Sequence, residues 1–274
     1  MTTQPDTSPT NRSIPALRRV LFRLSAAFFR LSRWVRDAWY RIVRSPLDWL
    51  RWRIWAGTGF PPDRSLSVRC VLANLNPDAT RIQIPPRDLE AYAPGRRHGT
   101  NKKRFFWPGD WDQRAAPLTA TPRYRLMADI WEHRDCLEES ATFREYRAGS
   151  DAGQPRRMVN KGLLLDSRER ILDFLEQQLA LFESMQRDGF RSDRGEDELR
   201  VAIARDGRLI KARAGRRRTS VAHILGLARI PVRIAHVHEQ WWQHHRKALS
   251  GPLDQRLQRA LEQYAAEQGY PRAE

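Results

Sequence analysis

Six consecutive residues, Gly215-Arg216-Arg217-Arg218-Thr219-Ser220, have the composition of a phosphate site. Glycine lets a backbone approach an anion closely. Arginine makes paired, charge-assisted hydrogen bonds to phosphoryl oxygens, and the Thr and Ser hydroxyls add donors. A helix that begins here also points its N–H groups and the positive end of its dipole at the same spot. The alternative reading is a solvated, arginine-rich helix start. No GxxxxGK stretch occurs, so the chain holds no Walker A loop.

A second group of residues carries carboxylates. Asp110 and Asp112 flank Trp111 in a Gly-Asp-Trp-Asp run. Such carboxylates bind Mg²⁺ or take a proton from a hydroxyl during phosphoryl transfer. The structural alternative is a turn capped by Asp around a buried Trp. Glu138 and Glu139 form a further acidic pair, and Glu139 joins Asp110 and Asp112 as a catalytic candidate. His238 is a candidate hydrogen-bonding or phosphate-facing residue. His236, His244 and His245 have neither Cys nor paired carboxylates beside them, so no metal site is expected, and they read as surface positions. Trp241 and Trp242 read as core caps. No nucleophile elbow and no Ser-His-Asp order is visible.

These residues need elements to position them. Ser67–Leu72 and Arg81–Ile84 read as strands, the second stopped by Pro85-Pro86. Residues 123–147 read as helical and 148–157 as a loop. Asp166 and Glu169 make a capping-box pattern before an amphipathic helix that Gly189 ends. Val201–Ala204 reads as a strand, Asp206-Gly207 as a two-residue hairpin turn, and Leu209-Ile210 as the returning strand. Gly215 to Ser220 opens a short helix, Val221 to Leu225, closed by Gly226. Ile230–Ile234 is the next strand. Residues 250–268 form a final helix with Ser250 as its cap.

The chain has 274 residues, a formal net charge of +17 and 41% hydrophobic residues. That is enough apolar content for a folded core and too much for a disordered chain. Two cysteines cannot build a disulfide framework, which favours a reducing compartment. No apolar run is long enough to span a bilayer. Residues 1–11 are polar and read as a disordered tail. Residues 12–56 read as a basic amphipathic helical arm, and Arg12 to Arg64 holds 12 Arg against 3 acids. Arg19, Arg23, Arg30 and Arg33 oppose its apolar stripe, with Trp34 and Trp39 beside them. This pattern suits an anionic membrane surface, a partner helix, or nucleic acid.

The run from Val201 to Ile234, VAIARDGRLIKARAGRRRTSVAHILGLARIPVRI, resembles the ParB/sulfiredoxin-like superfamily. Gly215, Arg217, Arg218 and Ala222 match the glycine, arginines and alanine of the ParB box, with Arg216 where ParB has Glu. Gly109–Asp112 and the stretch from Val237 to Trp241 resemble an uncharacterised GDWD-containing subgroup. The resemblance covers about residues 65–242. It implies an α+β fold, a small mixed sheet of ParB/sulfiredoxin type with helical insertions, to which the basic arm read at 12–56 is added. The expected organisation is a 65–245 domain followed by the 250–268 helix. The resemblance also implies a nucleotide triphosphate with Mg²⁺, or another phosphorylated small molecule, held by Gly215, Arg216, Arg217, Arg218, Thr219, Ser220 and His238. Phosphoryl transfer to a small hydroxylated acceptor, with Asp110 or Asp112 as the carboxylate, is the reaction this scheme would support. The alternatives are a CTP-dependent DNA clamp and a non-catalytic interaction module. The expected location is the cytoplasm, with the arm peripheral on the inner face of the membrane.

Overall fold

A computed structural model describes residues 46–47, 50, 66–94, 100–158, 162–191, 198–212 and 215–273. The tail 1–11 and the arm 12–56, with Arg19, Arg23, Arg30, Arg33, Trp34 and Trp39, lie outside the described residues, except that Pro46, Leu47 and Leu50 are helical. The described residues form two units, one of 129–180 and one of the remainder. The fold is α+β with a mixed sheet.

In the larger unit, Ser67 caps a helix and does not begin a strand. Its Oγ accepts from the Cys70 N–H at 3.1 Å, and α1 runs Val68–Asn74. The apolar run 68–72 cannot by itself tell a buried helix from a strand, and the Ser cap decides it. A short α2, Pro77–Thr80, leads into β1, Arg81–Ile84, which Pro85 and Pro86 stop as expected. Two short strands follow, β2 at Ala91–Tyr92 and β3 at Phe106–Trp107. β4 is Ala116–Pro117, and α3 is Pro122–Glu132.

The 129–180 unit corrects two expectations. The helical stretch expected over 123–147 breaks after α3, and a new helix, α4, starts at Ala141 and runs to Asp151. Two side chains restart it. Ser140 Oγ accepts from the Phe143 N–H at 3.1 Å, and the Asp129 carboxylate accepts from the N–H groups of Ala141 and Thr142 at 3.1 and 2.7 Å. The expected loop 148–157 gives way to that helix and to β5, Arg156–Met158, which pairs antiparallel with β6, Leu163–Leu165. Helix α5 then spans Arg168–Asp188 and ends at Gly189 with φ +69°. Its cap is Ser167, whose Oγ accepts from the Arg170 N–H at 3.3 Å. Asp166 instead pairs with the Arg170 guanidinium.

The remaining strands are β7, Arg200–Ile203, β8, Leu209–Lys211, and β9, Ile230–His238. The sheet order is β1-β9-β7-β8-β2-β4, with β3 also paired to β9. β7 and β9 are parallel, with Val201 beside Ile234 and Ile203 beside Val237. The register shifts between Val201 and Ala202, because Ala235 is an extra residue on β9. The β7–β8 turn differs from the two-residue expectation. Ala204 N–H donates to the Arg208 carbonyl and Gly207 N–H to the Ala204 carbonyl, with Gly207 at φ +87°. That is a three-residue loop, Arg205-Asp206-Gly207, with glycine in its left-handed position.

One face of the sheet buries Ile82, Ile84, Val201, Ile203, Val232 and Ile234. Helix α6 is Arg216–Ile224, so it starts five residues before the expected Val221. Helix α7 is Glu239–His245, and it buries Trp241 and Trp242 as expected. Helix α8 is Leu253–Glu267. Its N-cap is Pro252 and not Ser250, so it begins without a side-chain cap. After it, the chain runs along β1: Gln83 N–H donates to the Pro271 carbonyl and Ala273 N–H to the Arg81 carbonyl. That covers a sheet edge that would otherwise present unpaired groups.

Burial of Leu257, Leu261 and Tyr264 holds α8 in place, and Leu261 is fully buried. Leu261→Ala is expected to lower the unfolding free energy by about 2–5 kcal/mol, measured by chemical denaturation.

Candidate functional site

Strand register decides which candidate residues can meet. The turn 204–208 lies at the C-terminal end of β7. Trp107 sits beside His238 at the end of β9. The Gly109–Asp112 turn therefore belongs to that same end of the sheet. β8 runs back the other way, with Lys211 beside Val201. Gly215 follows at the N-terminal end of β7, where a Cβ on it would meet the Leu199 side chain at 2.0 Å. The two groups are separated by the length of β7, about 13 Å for four residues. The expected single centre, with arginines holding phosphate and Asp110 or Asp112 supplying the carboxylate, is corrected by this register.

At the C-terminal end the charged residues hold one another. Asp112 is buried and accepts from the Arg205 main-chain N–H at 3.1 Å and from its Nε at 2.9 Å. Arg205 also reaches Asp110 at 2.8 Å and the Gly109 carbonyl at 3.0 Å. Burial pushes the Asp112 carboxyl up, but the hydrogen bonds from Arg205 outweigh it and leave the carboxyl below its usual value. Those bonds in turn raise the Arg205 guanidinium pKa further. A carboxylate stabilised in this way is a poor proton acceptor. The arrangement ties the β7–β8 turn to the Gly-Asp-Trp-Asp turn.

His238 completes this end. Its Nε2–H donates to the Gly109 carbonyl at 2.8 Å, and its Nδ1 accepts from the Gln240 N–H at 3.0 Å. Both ring nitrogens serve the backbone, so the phosphate-facing role expected as one alternative is corrected to the hydrogen-bonding one. The expected surface position of His236 is also corrected. It is buried, stacks on Trp107 at 3.9 Å, and its Nδ1–H donates to the Arg104 carbonyl at 2.8 Å. Trp111 packs against Trp107 and against the His238 ring. Ala202, Ala204 and Ala212 leave room on this face for the two indoles. His244 is exposed and His245 half-buried. Among the described residues no cluster of three or more His, Cys, Asp or Glu could hold a metal ion.

At the opposite end, Gly215 is the N-cap of α6, with φ +70°. Both that φ and the Leu199 contact require glycine. Glycine brings no side chain to cap the first-turn N–H groups, which lack acceptors within the helix itself. Arg216, Arg217 and Arg218 occupy that first turn, and no acidic residue does. Arg216 lies over the Tyr92 ring at 5.4 Å, and Arg218 over the Phe190 ring at 5.3 Å. Thr219 and Ser220 are buried and donate their hydroxyls to the Gly215 and Arg216 carbonyls at 3.0 Å. Their expected role as phosphate donors is corrected accordingly. Glu139 belongs to the 129–180 unit, exposed at the end of a 3₁₀ turn, while its neighbour Glu138 pairs with Arg168.

Sequence reasoning missed Arg205 and Tyr92. Arg205 stands just before the Asp-Gly turn signal, which fixes its direction. Nothing in the sequence marks Tyr92, which comes from a two-residue strand. Comparison of the chain with protein-family models, with curated proteins and with solved structures found no match. Among the described residues no helix is long and apolar enough to cross a membrane.

Asp112→Asn keeps the shape and removes the charge. It is expected to cost about 1–3 kcal/mol of stability in denaturant titration at neutral pH, since Arg205 stays half-paired. His236 gives a pH prediction. Burial pushes its pKa down to about 3, against the hydrogen bond to Arg104. The unfolded chain therefore binds a proton that the fold refuses. Stability is full above the ordinary histidine range near 6.5 and is lost as pH falls from there toward 3. Replacing His236 with Phe is expected to flatten melting temperature against pH over that interval.

Proposed function

We propose that the start of α6 binds the phosphate groups of a nucleotide or another phosphorylated small molecule. One observation carries this reading. Three arginines fill the first turn of a helix whose N-cap is a left-handed glycine, and no acid shares that turn. Without an anion, cations at that position repel the dipole and one another. With one, the same N–H groups and guanidinium groups become a binding site. The resemblance of residues 201–234 to the ParB/sulfiredoxin-like superfamily supports a nucleotide as the phosphate source. Mg²⁺ would enter with the nucleotide, held mainly by its phosphates. Half-buried Tyr92, with exposed Arg216 over its ring, offers a flat surface beside the phosphate position.

The reading is of binding. The carboxylates at 110 and 112 are at the wrong end of the sheet to activate an acceptor there, and phosphoryl transfer through them is set aside. The arm of residues 12–56 adds a proposed attachment to an anionic membrane surface, on its sequence pattern alone.

Calorimetric titration of ATP, CTP, GTP and ADP, each with Mg²⁺, tests the site. Saturable binding by the wild type is expected, with at least about a tenfold loss in Arg217→Ala/Arg218→Ala. A preference for CTP would favour a clamp-like switch, and a preference for ATP or ADP a kinase-like relative. No binding at millimolar nucleotide, or equal binding by the variant, contradicts the proposal.

A further inference from the structure

Three arginines lie side by side on neighbouring strands. Arg81 on β1 pairs with Arg233 on β9, and Arg233 pairs with Arg200 on β7. Residues in direct register on adjacent strands share a face, with strands about 4.8 Å apart. The row is therefore a line of cations across the sheet. Among the described residues one carboxylate pairs with it: Glu198 Oε1 lies 3.0 Å from Arg81 Nε, and Glu198 Oε2 lies 2.6 Å from Arg233 Nε. Among the described residues, three cations in the row against this one carboxylate leave a formal charge of +2. Arg200 Nε is buried with no hydrogen-bond partner among the described residues. Lys211 adds a buried ammonium nearby, which donates to the Arg200 carbonyl.

Like charges in direct cross-strand register cost stability. The central member shows the strain. Burial pushes the Arg233 guanidinium pKa down, Glu198 opposes that, and Arg81 and Arg200 add to it. The row is still reachable from solvent, with the Arg81 side chain 45% and the Glu198 side chain 32% exposed.

We propose that Arg81, Arg200 and Arg233 form a second anion site, on the sheet itself, that takes a phosphoryl dianion. Its double negative charge matches the residual +2, and guanidinium groups present paired donors to such oxygens. This site is separate from the start of α6. Leu199, the residue next to Arg200, is the one that packs under Gly215, and successive residues of an extended chain point to opposite faces. Glu198 acts as a resident competitor that a bound phosphoryl group displaces in part from Arg233.

The test uses the full chain carrying Arg217→Ala/Arg218→Ala, so that the α6 site is already weakened. Inorganic phosphate is titrated calorimetrically at constant ionic strength. Saturable binding is expected. Adding Glu198→Gln removes the competitor and should tighten it, and adding Arg200→Gln should weaken it, each by about tenfold. The two effects are opposite in sign, so Glu198→Gln decides the matter if Arg200→Gln fails to fold. Phenyl phosphate binding as well as phosphate would mark a site for phosphoryl groups on a larger molecule. Phosphate binding alone would mark a site for the free ion. Absence of binding in the starting variant, or binding that ignores the added substitutions, would overturn the proposal.

Discussion

Parallel pairing of β7 with β9 is the constraint on which the rest of the larger unit depends. It gives the sheet two chemically different ends. β9 delivers His236 and His238 toward one end, and β7 delivers the turn that carries Arg205 to the same place. Because β8 must run back, the glycine and arginines of α6 are sent to the other end. A single bulge at Ala235 places His236 beside Ala202, under the Trp107 ring. A one-residue change in that register would turn these side chains to the opposite face.

The end with the carboxylates uses its polar groups for structure. Trp107 and Trp111 fill space left by three alanines, each indole meeting a histidine ring. Asp112 could not be buried there without partners, and Arg205 supplies them from the hairpin tip. The result is a set of hydrogen bonds that ties the hairpin tip to the Gly-Asp-Trp-Asp turn. The end with α6 differs. It concentrates positive charge where a helix already supplies a positive field, and no acid shares that first turn. An arrangement that is unfavourable alone and favourable with an anion is the physical argument for a ligand there.

Much of this organisation was readable in the sequence. The β7 and β9 patterns, the Asp-Gly turn, the glycine before the arginines and the final amphipathic helix all rest on local chemistry. Glycine at 215 is the best case, because its left-handed φ and the close Leu199 side chain leave no other residue suitable. Misreadings had local causes too. Ser67 caps a helix that its apolar run alone could not distinguish from a strand. Asp129 restarts a helix from twelve residues away, which no periodicity shows. The candidate site was less legible than the fold. Residue types pointed to phosphate chemistry at two places, but only strand register shows that those places lie apart. His236 reads as a surface residue because the Trp107 ring that stacks on it and the Arg104 carbonyl that it reaches come from a distant part of the chain.

The most direct test of the central claim is to follow the backbone amide resonances of Gly215 to Thr219 by NMR while inorganic triphosphate is added. The account predicts saturable downfield shifts of the Arg216, Arg217 and Arg218 amides, the groups that would donate to the bound anion. Amides of Gly109 to Asp112 should stay still. Unmoved α6 amides at millimolar triphosphate, or shifts confined to the Asp112–Arg205 end, would contradict it.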